Sequence, residues 1–106
     1  MGTLFHVAVK TRDRGGAIAY VQKHTASVLI PPIGTLVESS GFKEPRKVVD
    51  VVVSADDGSV FVRLEELVFT AETLEVQAFS FAGHGWELSS ELAEAADRYR
   101  AAQGLS

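Results

Sequence analysis

Two glycines bracket a histidine, and a tryptophan follows, in Gly83-His84-Gly85-Trp86. The glycines free the backbone for close approach of a ligand, an unperturbed imidazole titrates near pH ~6.5, and an indole offers a flat surface for stacking. His84 is therefore the candidate general acid or base, with Glu66 or Asp50 as its carboxylate partner. Glu65 and Glu66 are adjacent, so a strand sends them to opposite faces, and Glu66 falls in line with Val60, Val62 and Leu64 on the apolar side. Burial there would raise the Glu66 pKa toward that of a base; exposure at the strand end is the competing reading. A glycine-rich turn before a helix, with the tryptophan in the core, is the corresponding reading of residues 83–86. His84, Trp86 and Phe61 are the expected ligand contacts.

His6, His24 and His84 lie far apart and form no metal-ligand spacing, and the chain has no cysteine for a thiolate nucleophile, a disulfide or a zinc site. Asp56-Asp57-Gly58 lacks the further ligands of a calcium loop and reads as a turn. Neither a metal nor a cofactor is expected. Lys10, Arg12 and Arg14 flank one loop, and Lys43, Arg46 and Lys47 flank another with Phe42 beside it. Brought together, they would form a basic patch for an anionic partner such as a phosphate backbone. Net acidity and the lack of a glycine-rich phosphate loop or an RNA-binding aromatic motif weigh against nucleic acid.

The elements that must position these residues share 106 residues, one domain's worth of chain. Apolar residues make up 46% and charged residues 23%, which excludes a disordered or collagen-like chain. The net charge of −4 hides an asymmetry. Residues 1–47 carry seven bases against three acids, and residues 48–106 three bases against eleven acids. Either the two parts fold together and their charges mix, or a basic face meets an anionic partner or the acidic half of another copy. The N-terminal run alternates and contains no long apolar stretch, so neither a signal peptide nor a membrane anchor is expected, and the cytoplasm is the default compartment.

Leu4 to Lys10 alternates and predicts a strand. Ala17, Ile18 and Val21 stand at helical spacing and predict a short helix over 17–24. The Pro31-Pro32 pair removes two backbone donors, so Ser27 to Ser39 reads as an edge strand or a sharp bend. Lys47 to Ser54 and Ser59 to Phe69 predict a hairpin around Ala55-Asp56-Asp57-Gly58. A four-residue loop sets Val53 against Val60, Val51 against Val62 and Val49 against Leu64, with Asp50 opposite Arg63. A two-residue turn would instead oppose Asp50 and Glu65, at a cost of up to about 1 kcal/mol. Phe61 and Leu67 suggest partial cover of the second face. Leu74 to Ala82 reads as a strand, with a helix through Leu74, Ala78, Phe81 and Ala82 as the competitor. Ser89 or Ser90 caps a final helix with the stripe Leu92, Ala95, Ala96, Tyr99 and Ala102, and Gly104 stops it.

Gly34 to Glu38, Lys47 to Ser54 and Asp57 to Glu66 together resemble the small orphan proteins carried on mobile integron gene cassettes. The resemblance implies a bacterial accessory protein of unassigned activity, a small α+β fold that self-associates or binds a ligand, and carries over no site residue. The expected architecture is α+β: a curled, mainly antiparallel sheet of four to five strands, a short helix after the first strand and a C-terminal helix packed on the sheet. Nine aromatic residues, including Phe5, Phe42, Phe61, Phe69, Phe79 and Phe81, exceed what one face of so small a sheet buries. The expected function is therefore a non-catalytic binding protein that forms a homodimer, with a small-molecule cavity as its variant. A small enzyme built on His84 and polyanion binding through the basic half are the alternatives.

Overall fold

The computed structural model describes residues 2–11 and 19–104. Six strands and two helices follow in the order β1 (Thr3–Thr11), β2 (Ala19–Thr25), β3 (Leu36–Val37), β4 (Arg46–Val53), β5 (Val60–Phe69), α1 (Leu74–Gly83), β6 (Glu87–Leu88) and α2 (Ser90–Ala102). They form an α+β fold around one mixed sheet of order β3-β4-β5-β1-β2-β6. Four of its pairings are antiparallel, and the central one, β1 with β5, is parallel. The expected antiparallel character thus holds at the flanks and fails at the centre. The helices pack on each other and on the β2–β6 side.

β1 lies in the middle because its odd positions Val7 and Val9 are buried against both neighbours. β2 replaces the helix expected over 17–24. Ala19 and Val21 alternate into the core while Tyr20 points outward, and pairing with β1 from Val9↔Ala19 to Thr3↔Thr25 overrides the local helical spacing. The β4–β5 hairpin has the four-residue loop, with Ser54 N–H donating to Ser59 O at 2.9 Å, Val53 facing Val60 and Asp50 facing Arg63. One detail differs: a bulge at Val49 sets Val48 rather than Val49 against Leu64, so Val48 is fully buried and Val49 exposed.

A second bulge corrects the placement of Glu66. Val7 pairs with Leu64 but Val9 with Leu67, so Glu65 and Glu66 together oppose Ala8. The phase of β5 shifts there, which brings Leu67 and Phe69 to the core side and turns Glu66 and Val68 out.

Residues 74–83 form α1 rather than a strand. Thr70 and Thr73 exchange hydroxyl–amide hydrogen bonds of 3.2 Å at its start, and Ala78 and Phe81 supply its buried side. In α2, Leu92, Ala95 and Ala96 are buried as the stripe requires, with Ser89 at the N-cap. The Ser89 hydroxyl accepts the Tyr20 N–H at 3.2 Å instead of capping the helix. Phe69, Phe81 and Trp86 close the core between helices and sheet.

Candidate functional site

Trp86 is an anchor of the core. It is buried, its indole N–H donates to Ser40 O at 3.2 Å, and it packs against Phe42 and edge-on against Phe81 at centroid distances of 5.2 and 5.9 Å. Lys23 Nζ lies 5.6 Å over its ring and donates to His84 O at 3.0 Å. His84 is exposed, and its Nδ1–H donates to Ser80 O at 2.7 Å. Glu66 is paired with Lys10 at 3.1 Å, and Asp50 with Arg63 at 3.1 Å. Each carboxylate thus engages a cation of the sheet, and neither meets the imidazole of His84.

The expected anion patch is interleaved with acids. Arg46 donates to Glu66 O at 2.7 Å and stands 4.0 Å from the Glu65 carboxylate, which also accepts the Lys47 backbone N–H at 3.2 Å. Lys10 is held by Glu66, Lys43 sits in the loop before β4, and Arg12 and Arg14 lie outside the described residues. At the hairpin turn, Asp57 Oδ1 accepts the Ser59 N–H at 2.9 Å and its hydroxyl at 2.7 Å, which holds the Asp57 carboxyl below its usual range. Among the described residues, no three histidine or acidic side chains are grouped to hold a metal ion.

Phe61 belongs to a different constellation, on the sheet face opposite the helices. His6 stacks on Tyr20 at 5.2 Å and lies 5.3 Å from Phe61, so three adjacent strands contribute one ring each. Gln22 Nε2 donates to His6 Nδ1 at 3.0 Å, leaving the proton of the neutral ring on Nε2. Burial, and secondarily the Arg63 guanidinium, hold the His6 pKa below its ordinary value. At the end of this face a groove of about 540 Å³ runs between Leu4, His24, Val52 and Phe61. Sequence pattern alone does not single out His6, although Leu4-Phe5-His6-Val7 places it opposite the buried valines.

The largest departure from an ordinary surface lies in the segment that crosses from β2 to β3. Val28, Leu29, Ile30, Ile33 and Leu36, with Val49, Val52 and Val53 of β4, are each between 42% and 64% exposed. The buried Thr3 hydroxyl anchors one end, donating to Ser27 O and accepting the Leu29 N–H, both at 2.8 Å. At the other end Thr35 N–H donates to Pro32 O at 3.1 Å across a turn that needs the positive φ of Gly34. Gly34 N–H then donates to Val48 O, and Val48 N–H to Thr35 O, each at 2.8 Å. Phe5 and Val37, packed against the core, line a depression of about 450 Å³ together with Leu29, Ile30, Pro31 and Leu36. A segment so fixed presents its aliphatic side chains to solvent as part of its folded shape. The exposed large apolar side chains are thus aliphatic apart from Tyr20, while most of the aromatics lie in the core or pack against it. An apolar run interrupted by two prolines, Val28 to Leu36, was the available signal.

No helix among the described residues is long and apolar enough to cross a membrane. No protein-family model, curated protein or solved structure matches this chain.

Proposed function

We propose that this chain is a non-catalytic interaction protein that acts as a homodimer. The observation that supports the reading is the cluster of exposed aliphatic side chains along β4 and the crossing segment. Eight such residues on β4, β3 and the segment between β2 and β3, in a chain of 106, depart from the scattered apolar exposure of ordinary monomers. Burying them against a second subunit removes apolar surface from water at about 25 cal/mol per Å². The resemblance to integron cassette proteins is in keeping with a bacterial accessory role, and the cytoplasm is the compartment this reading assigns.

The test is light scattering coupled to size-exclusion chromatography at low and high salt. A mass of twice 11.4 kDa at both salt concentrations is expected, because an apolar interface is not screened. A mass of 11.4 kDa at every concentration and salt overturns the reading.

A second reading, a small apolar ligand, draws on the groove between Leu4, Val52 and Phe61. Its mark is an environment-sensitive hydrophobic dye whose fluorescence on binding is lost in Phe61→Ser and kept in Trp-free core variants that still fold.

A further inference from the structure

Among the described residues, the outer side of β4 is paired only as far as Val48. Gly34 and Thr35 engage Val48, and β3 pairs with Lys47 and Arg46 beyond it. At the other end the strand closes into the turn, with Ser54 N–H donating to Ser59 O. Between these limits the direction of each backbone group follows from the ladder. Val60 N–H donates to Gly2 O, away from β4, so its partner Val53 is in a non-hydrogen-bonded pair and turns its own N–H and C=O outward. Val51, two residues earlier, does the same. Among the described residues, the one group meeting this outward edge is Asp50 Oδ1, which accepts the Val51 N–H at 3.1 Å.

The geometry points to a second copy of this chain as the occupant, its β4 paired antiparallel with this β4 about a two-fold axis at Val52. The inference rests on the homodimer reading and specifies the interface. The bulge at Val49 breaks the outward alternation toward Val48, so the outward residues are Val51 and Val53, and only an axis at Val52 maps one onto the other. Each Val51 then exchanges hydrogen bonds with the second copy's Val53, and the two Val52 side chains face each other. No like charges oppose: Asp50 meets Ser54, whose hydroxyl accepts the Asp56 N–H and in the single chain is directed at the Asp57 carboxyl of its own turn. Asp50 keeps Arg63 through Oδ2 while Oδ1 releases the Val51 N–H to the second copy. The acidic turn Asp56–Asp57 of each copy comes toward the Lys47 end of the other's β4. Ile33, Val49 and Val53 flank the line of contact and are covered by it, and two six-stranded sheets become one continuous sheet. An exposed edge rich in β-branched residues is a template for strand addition.

The absence of cysteine makes the axis directly testable. Facing residues of a non-hydrogen-bonded antiparallel pair have Cα atoms about 4.5 Å apart, inside the range a disulfide spans. Val52→Cys, at an exposed position, is treated with oxidised glutathione at micromolar protein and followed on non-reducing gels. A covalent dimer is expected, at least tenfold faster than in the equally exposed Val68→Cys at the far end of the same face. Val52→Lys, which sets two ammonium groups against each other, is expected to halve the scattering mass with an unchanged circular dichroism spectrum. If Val52→Cys crosslinks no faster than Val68→Cys while the unaltered protein is dimeric, the edge pairing is overturned and the homodimer reading stands. If the unaltered protein is monomeric, both fall.

Discussion

Thr3 is almost fully buried, and its hydroxyl serves Ser27 O and the Leu29 N–H at once. Threonine differs from valine by that oxygen alone in shape, so Thr3→Val keeps the packing and strands one donor and one acceptor. Leaving a buried group unpaired costs about 1–3 kcal/mol. Urea unfolding should show Thr3→Val less stable by that amount and Thr3→Ser much closer to the parent; equal stability of all three would remove the clamp from the account. His6 bears on pH. Its folded-state pKa is depressed, so the unfolded chain binds the proton more readily and stability falls as pH drops through the ordinary histidine range toward the folded pKa. Replacement by phenylalanine keeps a ring between Tyr20 and Phe61 and deletes the titration. The loss of melting temperature between pH 7.5 and 5.5 should therefore be smaller in His6→Phe, and an identical loss in both proteins would assign the pH dependence elsewhere.

The elements differ in how much the sequence revealed of them. The β4–β5 hairpin was legible because a four-residue loop sets Asp50 against Arg63 where a two-residue turn would set it against Glu65, and α2 because its stripe, acidic start and Gly104 stop agree. β2 and α1 were not legible: each is short, and Ala-Ile-Ala-Tyr-Val and Leu-Glu-Val-Gln-Ala satisfy both periods, so the choice falls to partners distant in sequence. The bulges at Val49 and at Glu65–Glu66 are likewise tertiary devices that alternation cannot announce, and the second decides that Glu66 is paired on the surface rather than buried as a base. The candidate site was legible only in outline, as surplus apolar surface, because the aromatics that suggested it went mostly to the core. Where the helices meet, small side chains set the spacing: Ala78 and Ala95 are fully buried. Ala95→Leu should overpack this contact and destabilise by about 1–3 kcal/mol, while Ala101→Leu, on the exposed side of α2, should stay within about 0.5 kcal/mol. Similar costs at both positions would mean that α2 does not pack as described.

At the scale of the whole molecule, the charge asymmetry along the chain is partly folded away among the described residues. Lys10 and Arg46 from the basic part lie against Glu66 and Glu65 from the acidic part, so the opposite charges mix on one surface. Head-to-tail attraction between copies therefore has little to draw on, and the proposed association rests on apolar contact. The radius of gyration, 14.5 Å, exceeds the ~13 Å of a compact chain of this length, as befits a sheet covered on one face only. Salt separates the two contributions to the proposed dimer. In about 1 M salt, where the Debye length is near 3 Å, the dimer should persist with at most a small loss of affinity. The paired substitution Ile30→Lys with Ile33→Lys alters two side chains that are 64% and 63% exposed, so the fold should keep its stability within about 1 kcal/mol. Two such pairs of charges buried in an apolar interface would have to be desolvated without partners, which is far more costly than any screened surface repulsion. Sedimentation velocity should accordingly find the variant monomeric in low and high salt alike. Persistence of its dimer would take the crossing segment out of the interface, and recovery of the dimer in high salt alone would show that charge repulsion, not lost apolar contact, had separated the subunits.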